Sequence, residues 1–173
     1  ASRVPVFLLK AGRTKAGAVA VASHTGRLAG SDAVVDGALT QYGIQRVEDD
    51  EELIDALRAV SYANIPTGNR VAIVTCAGGY GVMGADYIER TRGLRALCLA
   101  EFADKTDRAL KSAMLPFASA NNPVDLTAGA DTSGFLEAVK IVLSDPGVDI
   151  VIVYAFFAPA GISDVLVEGI AEC

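Results

Sequence analysis

Val71-Ala-Ile-Val-Thr-Cys-Ala-Gly-Gly-Tyr-Gly-Val-Met-Gly84 is an apolar run that breaks into a cluster of glycines. Residues 71–75 are apolar on both alternating faces, the pattern of a strand buried in a parallel sheet. Residues 77–81 read as a Gly-rich turn, and 82–92 as a helix ended by Gly93. Working outward, the alternation continues. Residues 94–99 form a second strand, and 104–114 a helix carrying Leu110 and Met114 inward, stopped by Pro116. A polar turn follows over 121–126 around Pro123, then a helix over 132–143, the turn Asp145-Pro-Gly147, a third strand over 150–156 and a last helix over 163–171. Apolar strands alternating with helices imply an α/β fold, a doubly wound parallel sheet covered on both faces. Ligands in such sheets lie at the carboxyl ends of the strands, here residues 75–81, Glu101 and 155–161.

Upstream of this stretch the signals are shorter. Residues 4–9 read as a strand, closed by Lys10-Ala-Gly-Arg13. Residues 11–31 are small and glycine-punctuated, which fits either a weakly specified helix followed by a loop or a mobile loop throughout. Ser31 can cap a helix through Gln41, with Val34, Val35, Ala38 and Leu39 inward, ended by Gly43. Residues 44–47 are a strand candidate. Asp49 and Glu52 have capping-box spacing before a helix whose apolar stripe is Leu53, Ile54, Leu57 and Val60. Residues 62–69 contain Asn, Pro, Thr and Gly without periodicity and mark a domain boundary. No internal repeat is present.

Composition narrows the function classes. The chain has 173 residues, 51% apolar and 21% charged, enough to build a core and too apolar for disorder. A net charge of −6 offers no basic face for nucleic acid. No apolar run approaches the ~18 residues of a membrane span. Three cysteines, Cys76, Cys98 and Cys173, occur without a CxxC, so neither a disulfide framework nor a zinc site is indicated, and a reducing compartment is expected. A single histidine cannot build a multi-histidine metal centre, and no metal site is expected. The chain begins without Met, carries no signal-peptide pattern and stops inside an expected helix, so we expect an excerpt of a longer protein.

Three clusters carry candidate chemistry. His24 stands in Ala22-Ser-His-Thr-Gly26, with hydroxyls from Ser23 and Thr25 beside it and Gly26 allowing close backbone approach. Lys10 and Arg13 lie upstream as possible phosphate ligands. A neutral imidazole is a competent nucleophile toward phosphorus, so His24 is either a surface-loop histidine or a covalent phosphoryl carrier on a mobile loop. The second cluster is Gly78, Gly79, Tyr80 and Gly81, where backbone N–H groups at a helix start make an anion site. Residues 79–84 also match G-x-G-x-x-G, with Glu101 22 residues beyond Gly79, the place of a ribose-binding acid. Against that dinucleotide reading, Thr75, Cys76, Ala77 and Gly78 intervene after the last apolar strand residue, which suits a phosphoryl group better than a pyrophosphate in a tight turn. The third cluster is Asn122-Pro-Val-Asp-Leu126, where Asn122 and Asp125 are either turn residues or ligand contacts. Cys76 sits beside the glycines, where a helix start lowers a thiol pKa unless the thiol is simply buried. The acidic run 48–52 reads as a helix N-terminus complementing its dipole.

Taken together, these stretches resemble the nucleoside-diphosphate-forming acyl-CoA synthetases, the family of ADP-forming acetate–CoA ligase, related to succinyl-CoA synthetase. The resemblance rests on Lys10-Ala-Gly-Arg-Thr14, Ala22-Ser-His-Thr-Gly26 with Leu28-Ala-Gly-Ser-Asp32, Val71-Ala-Ile-Val-Thr75 running into Gly78-Gly-Tyr-Gly81, and Asn122-Pro-Val-Asp-Leu126. It implies flavodoxin-like domains: residues 1–62 as the C-terminal part of a phosphohistidine-bearing domain, 63–69 as linker and 70–173 as a second flavodoxin-like CoA-ligase domain. It also implies the reaction acyl-CoA + ADP + phosphate ⇌ acid + CoA + ATP, through an acyl phosphate and a phosphohistidine, which motif matching assigns to His24. The family holds that group between two helix N-termini from different domains, and the helix opening at 78–81 matches one of them.

By the same resemblance, inorganic phosphate binds near His24. CoA, ADP/ATP and Mg²⁺ are held mainly by domains beyond this stretch: a CoA-binding domain and an ATP-grasp domain or subunit of the same enzyme. The 173 residues alone are then inactive. An oligomer and a cytoplasmic location are expected, with neither nucleic acid nor membrane as partner. Two other classes remain open: a ligand-sensing synthetase-like region of a protein lysine acetyltransferase, whose relatives have commonly lost the histidine, and an NAD-type dinucleotide-binding oxidoreductase domain, which leaves His24 and residues 122–126 unexplained.

Overall fold

The computed structural model describes residues 4–25, 30–91, 96–157 and 161–173. Contacts divide the chain into two units, Ala1–Ile65 and Pro66–Cys173.

In the first unit, β1 (Phe7–Leu9) leads to α1 (Lys15–Thr25), α2 (Asp32–Tyr42), β2 (Gln45–Val47) and α3 (Asp50–Tyr62). The two strands pair in parallel, Phe7 opposite Gln45 and Leu9 opposite Val47. Helix α1 decides between the two expectations for 11–31. Thr14 Oγ1 accepts from Gly17 N at 3.0 Å and Thr14 O accepts from Ala18 N at 2.8 Å, so Thr14 starts an alanine-rich helix. Gly43, at φ +66°, ends α2, and Ile44 N returns to Leu39 O at 2.9 Å, as a left-handed helix stop requires. Asp49 Oδ1 accepts from Glu52 N at 2.8 Å, capping α3, while the Glu52 carboxylate accepts from Glu48 N one residue before the cap. The inward faces are corrected. Val34 is 71% exposed, and Ile54 and Leu57 are each 47% exposed. Two three-residue strands offer too little sheet to cover both helices, and among the described residues Leu39 and Val47 are the buried apolar ones here.

The second unit begins with β3 (Arg70–Thr75), followed by α4 (Gly78–Arg90), β4 (Cys98–Leu99), α5 (Asp104–Ala113), β5 (Val124–Asp125), α6 (Thr132–Leu143), β6 (Ile150–Tyr154) and α7 (Val165–Ala171). Strand β3 is central and all its pairings are parallel. On one edge it meets β6, from Val71 opposite Ile150 to Thr75 opposite Tyr154. On the other edge it meets first β4, at Arg70 and Val71, and then β5, at Val74 and Thr75. Alternate β3 residues build two cores. Ala72, Val74 and Cys76 pack with Leu110, Phe135, Val139 and Leu166 from α5, α6 and α7, while Val71 and Ile73 pack with Ile88 of α4. Val71 to Val74 are fully buried, and sealing a Val or Ile contributes about 1.5–3 kcal/mol. This is the doubly wound arrangement that the alternation implies.

At the lower end of the sheet, Arg70 Nε and Nη2 donate to Asp149 Oδ2 and Oδ1, each at 2.8 Å, and Arg70 N adds a third bond at 3.0 Å. That guanidinium, with the backbone amide, holds the Asp149 carboxyl far below the usual carboxylate range. Two segments differ from expectation. The glycines at 78–81 are the first turn of α4 rather than a loop before it. Residues 121–126 contain a strand rather than only a turn, because Val124 and Leu126 are buried against β3. Gly93, expected to end α4, lies outside the described residues, and the helix ends at Arg90 with Thr91 as its C-cap.

Candidate functional site

The carboxyl ends of β3 and β6 lie side by side, and the chain leaves β3 toward α4 on one face of the sheet. That is the switch point at which doubly wound sheets bind ligands. Buried Thr75 turns the chain there: its Oγ1 accepts from Ala77 N at 2.9 Å and donates to Ala77 O at 3.1 Å. Ala77 O then accepts from Tyr80 N at 2.9 Å and Gly81 N at 3.4 Å, which closes the first turn of α4. The amides of Gly78 and Gly79 make no hydrogen bond to another described residue. They carry the positive end of the α4 dipole and are the groups that could bind a phosphoryl oxygen.

The walls of this crevice are aromatic. Tyr80 stacks on Tyr154, with ring centroids 5.9 Å apart and planes at 23°. Tyr80, Val153, Tyr154, Ala155 and Phe156 line a cleft of about 180 Å³. Tyr154 lies outside the sequence-derived candidates, and Phe156 enters them only as part of the strand end 155–161. Their role comes from the pairing of β6 with β3, which no local pattern reports. Cys76 is buried beneath the crevice, and its Sγ accepts from Phe156 N at 3.3 Å, so the thiol joins the two strand ends.

The glycines differ in what they permit. A Cβ on Gly78 would lie 2.5 Å from Asp125 Oδ2, and one on Gly81 would lie 3.2 Å from both Pro123 Cβ and Thr75 Cγ2. Around Gly79 there is open space and its φ is ordinary, so a side chain there meets no neighbour. Asp125 thus packs its carboxylate against the helix start, and its Oδ1 accepts from Thr127 N at 2.9 Å. Asn122 is turned into the sheet. Its Nδ2 donates to Val71 O at 2.8 Å and Ala100 O at 3.0 Å, and its Oδ1 accepts from Ile73 N at 3.0 Å. Glu101, Asp104 and Asp107 line a separate cleft with Asn122.

In the first unit, His24 lies in the last turn of α1, not in a loop, and is exposed; among the described residues nothing donates to or accepts from its ring. Ser23 Oγ donates back to Ala20 O at 2.8 Å. Thr25 ends the helix, but its side chain and all of Gly26 lie outside the described residues. Lys10 and Arg13 are engaged. Lys10 Nζ is 3.6 Å from Asp32 Oδ1, and Arg13 Nε is 3.6 Å from Asp32 Oδ2 while its Nη1 binds Glu48. Arg46 also donates to Asp32, at 2.7 Å, and to Asp36. The Arg46 hydrogen bond, chiefly, holds the Asp32 carboxyl below its ordinary value. Among the described residues, no group of three or more His, Cys, Asp or Glu gathers as a metal centre, and no helix is long and apolar enough to cross a membrane.

Comparison with known proteins matches both units. A family model described as the succinyl-CoA ligase like flavodoxin domain covers residues 1–60, and one described as the Ligase-CoA domain covers residues 71–168. The chain is 43% identical over 148 residues to the alpha subunit of acetate–CoA ligase [ADP-forming] II of Pyrococcus furiosus, covering 86% of this chain and 31% of that protein. It is 35% identical over 170 residues to 4-hydroxybutyrate–CoA ligase [ADP-forming] of Nitrosopumilus maritimus, covering 97% of this chain and 23% of that one. Among solved structures, the dinucleotide forming acetyl-coenzyme A synthetase 1 of Ca. Korarchaeum cryptofilum, in complex with phosphate and ADP, aligns with a TM-score of 0.86 at 33% identity. That alignment covers 97% of this chain and 35% of the other. The chain therefore spans about a third or less of the length of these relatives, none of which favours an acetyltransferase regulator or an oxidoreductase. With the Ligase-CoA model matching more than half of it, the chain belongs to the CoA-ligase family of nucleoside-diphosphate-forming acyl-CoA synthetases.

Proposed function

We propose that this chain is the phosphoryl-carrying part of an ADP-forming acyl-CoA synthetase, with His24 as the carrier and the amides at the start of α4 as one of its phosphate sites. One observation carries the reading: His24 is exposed, with no partner for its ring among the described residues, in a chain aligned across both its units with ADP-forming acyl-CoA ligases. Residues 1–62 are the C-terminal part of the histidine-bearing domain, 63–69 the linker, and 70–173 the second flavodoxin-like ligase domain.

In the complete reaction, phosphate displaces CoA from the acyl-CoA, giving an acyl phosphate and free CoA. A ring nitrogen of His24 attacks phosphorus, the P–O bond to the acyl group breaks, and the carboxylate leaves. ADP then attacks the phosphohistidine, the P–N bond breaks, and ATP forms. A phosphoryl group is doubly charged, and the Gly78 and Gly79 amides are preorganised donors for such a group. Tyr80 and Tyr154 line a cleft at that end of the sheet. Lys10 and Arg13 are secondary candidates for the phosphoryl oxygens and must first be released from Asp32 and Glu48. CoA, the nucleotide and Mg²⁺ belong to a CoA-binding domain and an ATP-grasp domain or subunit. When bound, Mg²⁺ neutralises nucleotide phosphate charge. Three free thiols, Cys76, Cys98 and Cys173, support a reducing, cytoplasmic setting.

The test is H24N in the complete enzyme. Asn keeps part of the size and polarity but cannot carry a phosphoryl group. ATP formation should fall to background while CoA affinity stays near that of the wild type. ATP formation at an undiminished rate would remove His24 from the mechanism.

A further inference from the structure

Strand β3 has a gap along its outer edge. Ala100 N donates to Val71 O at 2.8 Å as the β4 segment turns away, and Leu126 N donates to Thr75 O at 2.8 Å where β5 has joined. Between them, Ile73 N faces no backbone carbonyl. The Asn122 side chain closes that gap, its Oδ1 accepting from Ile73 N while its Nδ2 ties Val71 O to Ala100 O. A side-chain amide thus stands in for a backbone rung and joins two short strands into one edge.

The segment just after Asn122 touches the candidate phosphate site. Pro123 Cβ lies 3.2 Å from where a Cβ on Gly81 would stand, and Asp125 packs its carboxylate against Gly78. The position of Asn122 therefore sets where residues 123–125 press on the first turn of α4. We propose that Asn122 is a positioning residue for phosphoryl transfer: its amide rung fixes the segment that holds the Gly78 and Gly79 amides in place. This rests on the proposed role of α4 as a phosphate site, and it gives Asn122 a role other than ligand contact.

N122D in the complete synthetase tests it, because the two side chains are nearly isosteric. The carboxylate keeps an acceptor for Ile73 N but turns an oxygen without a proton toward Val71 O and Ala100 O, and protonation restores one donor. At pH 8 the first-order rate of His24 phosphorylation should fall on the order of 100-fold, as a misplacement of about 1 Å does. The two carbonyl oxygens facing the new carboxylate and its partial burial raise its pKa, so the rate should recover toward wild type as the pH falls to 6, with KM for CoA unchanged. Wild-type enzyme over the same range is the control for Glu101, Asp104 and Asp107, which share the Asn122 cleft. Relative to wild type at the same pH, amide hydrogen exchange over residues 76–84 should be faster in N122D at pH 8 and closer to wild type at pH 6, with peptides of α6 and α7 matching wild type at both.

N122S, uncharged and too short to bridge both carbonyls, should lower the rate about tenfold with no recovery at pH 6, and it carries the test if N122D does not fold. Wild-type rates in these variants would overturn the proposal. So would a loss shared with KM for CoA, or faster exchange throughout the unit, which mark general destabilisation. If wild-type protein never takes the phosphoryl group, the proposed function fails. The exchange at 76–84 then decides the positioning role alone: faster exchange confined to that segment supports it, and unchanged exchange overturns it.

Discussion

Replacing Gly78 by alanine should destabilise the second unit, while the same change at Gly79 should stabilise it. At Gly78 the new methyl carbon would sit 2.5 Å from Asp125 Oδ2, so that oxygen must retreat by about 1 Å to reach ordinary contact. The carboxylate is not free to do so, because its other oxygen accepts from Thr127 N at 2.9 Å. Losing that bond costs about 1–2 kcal/mol, and residual overpacking adds about 1 kcal/mol. Relief of glycine's backbone entropy returns about 0.5–1 kcal/mol. The net loss is about 1–2.5 kcal/mol. At Gly79 only the entropic gain operates, because nothing lies within 4 Å of the added carbon. The two variants should then differ by about 2 kcal/mol, on the order of 10 °C in Tm for a unit of this size. Scanning calorimetry reads the difference. A double-mutant cycle assigns it: with Asp125→Ala present, Gly78→Ala should become as favourable as Gly79→Ala. If Gly78→Ala stabilises the protein while Asp125 is present, the packing of the carboxylate against the helix start is wrong.

Two further perturbations read other parts of the account. Asp149, held far below the usual carboxylate range by Arg70, contributes stability that is fully present above the unfolded value near pH ~4 and is lost as the pH falls below it. Asp149→Asn should therefore lower Tm at pH 7 and flatten its decline between pH 5 and 3; an unchanged acid slope would remove the pair from the stability account. Asp49→Ala removes the cap on Glu52 N and should cost the first unit about 1 kcal/mol, seen as a lower denaturant midpoint at unchanged m value. A midpoint within error of wild type would show the cap to be idle.

Much of the second unit is legible from residues alone, for identifiable reasons. Residues 71–74 are apolar on both faces and flanked by turn formers, and the helix over 132–143 stands between the turn around Pro123 and Asp145-Pro-Gly147. Each signal lies within a few positions of the element it specifies. What stayed hidden depends on distant partners. Strand β5 is two residues long, and its pairing with β3 rests on Asn122 reaching Val71, Ile73 and Ala100. Which glycine matters at the helix start is decided by Asp125, 47 residues beyond Gly78. The helix bearing His24 has no apolar face to announce it, being a run of alanine, valine and glycine begun by Thr14. Residues 155–161 are placed at a ligand-binding strand end by the sequence, but the stacking of Tyr154 on Tyr80 depends on the pairing of β6 with β3.

The central claim is that His24 carries the phosphoryl group, and covalent labelling of the complete protein tests it most directly. Incubation with Mg²⁺ and ATP radiolabelled on its terminal phosphate should give an acid-labile, base-stable label. That label should map to the peptide containing His24, be absent from H24N and be discharged by ADP. A label on another residue, a label retained in H24N, or an active wild-type enzyme that never takes up label would contradict the account.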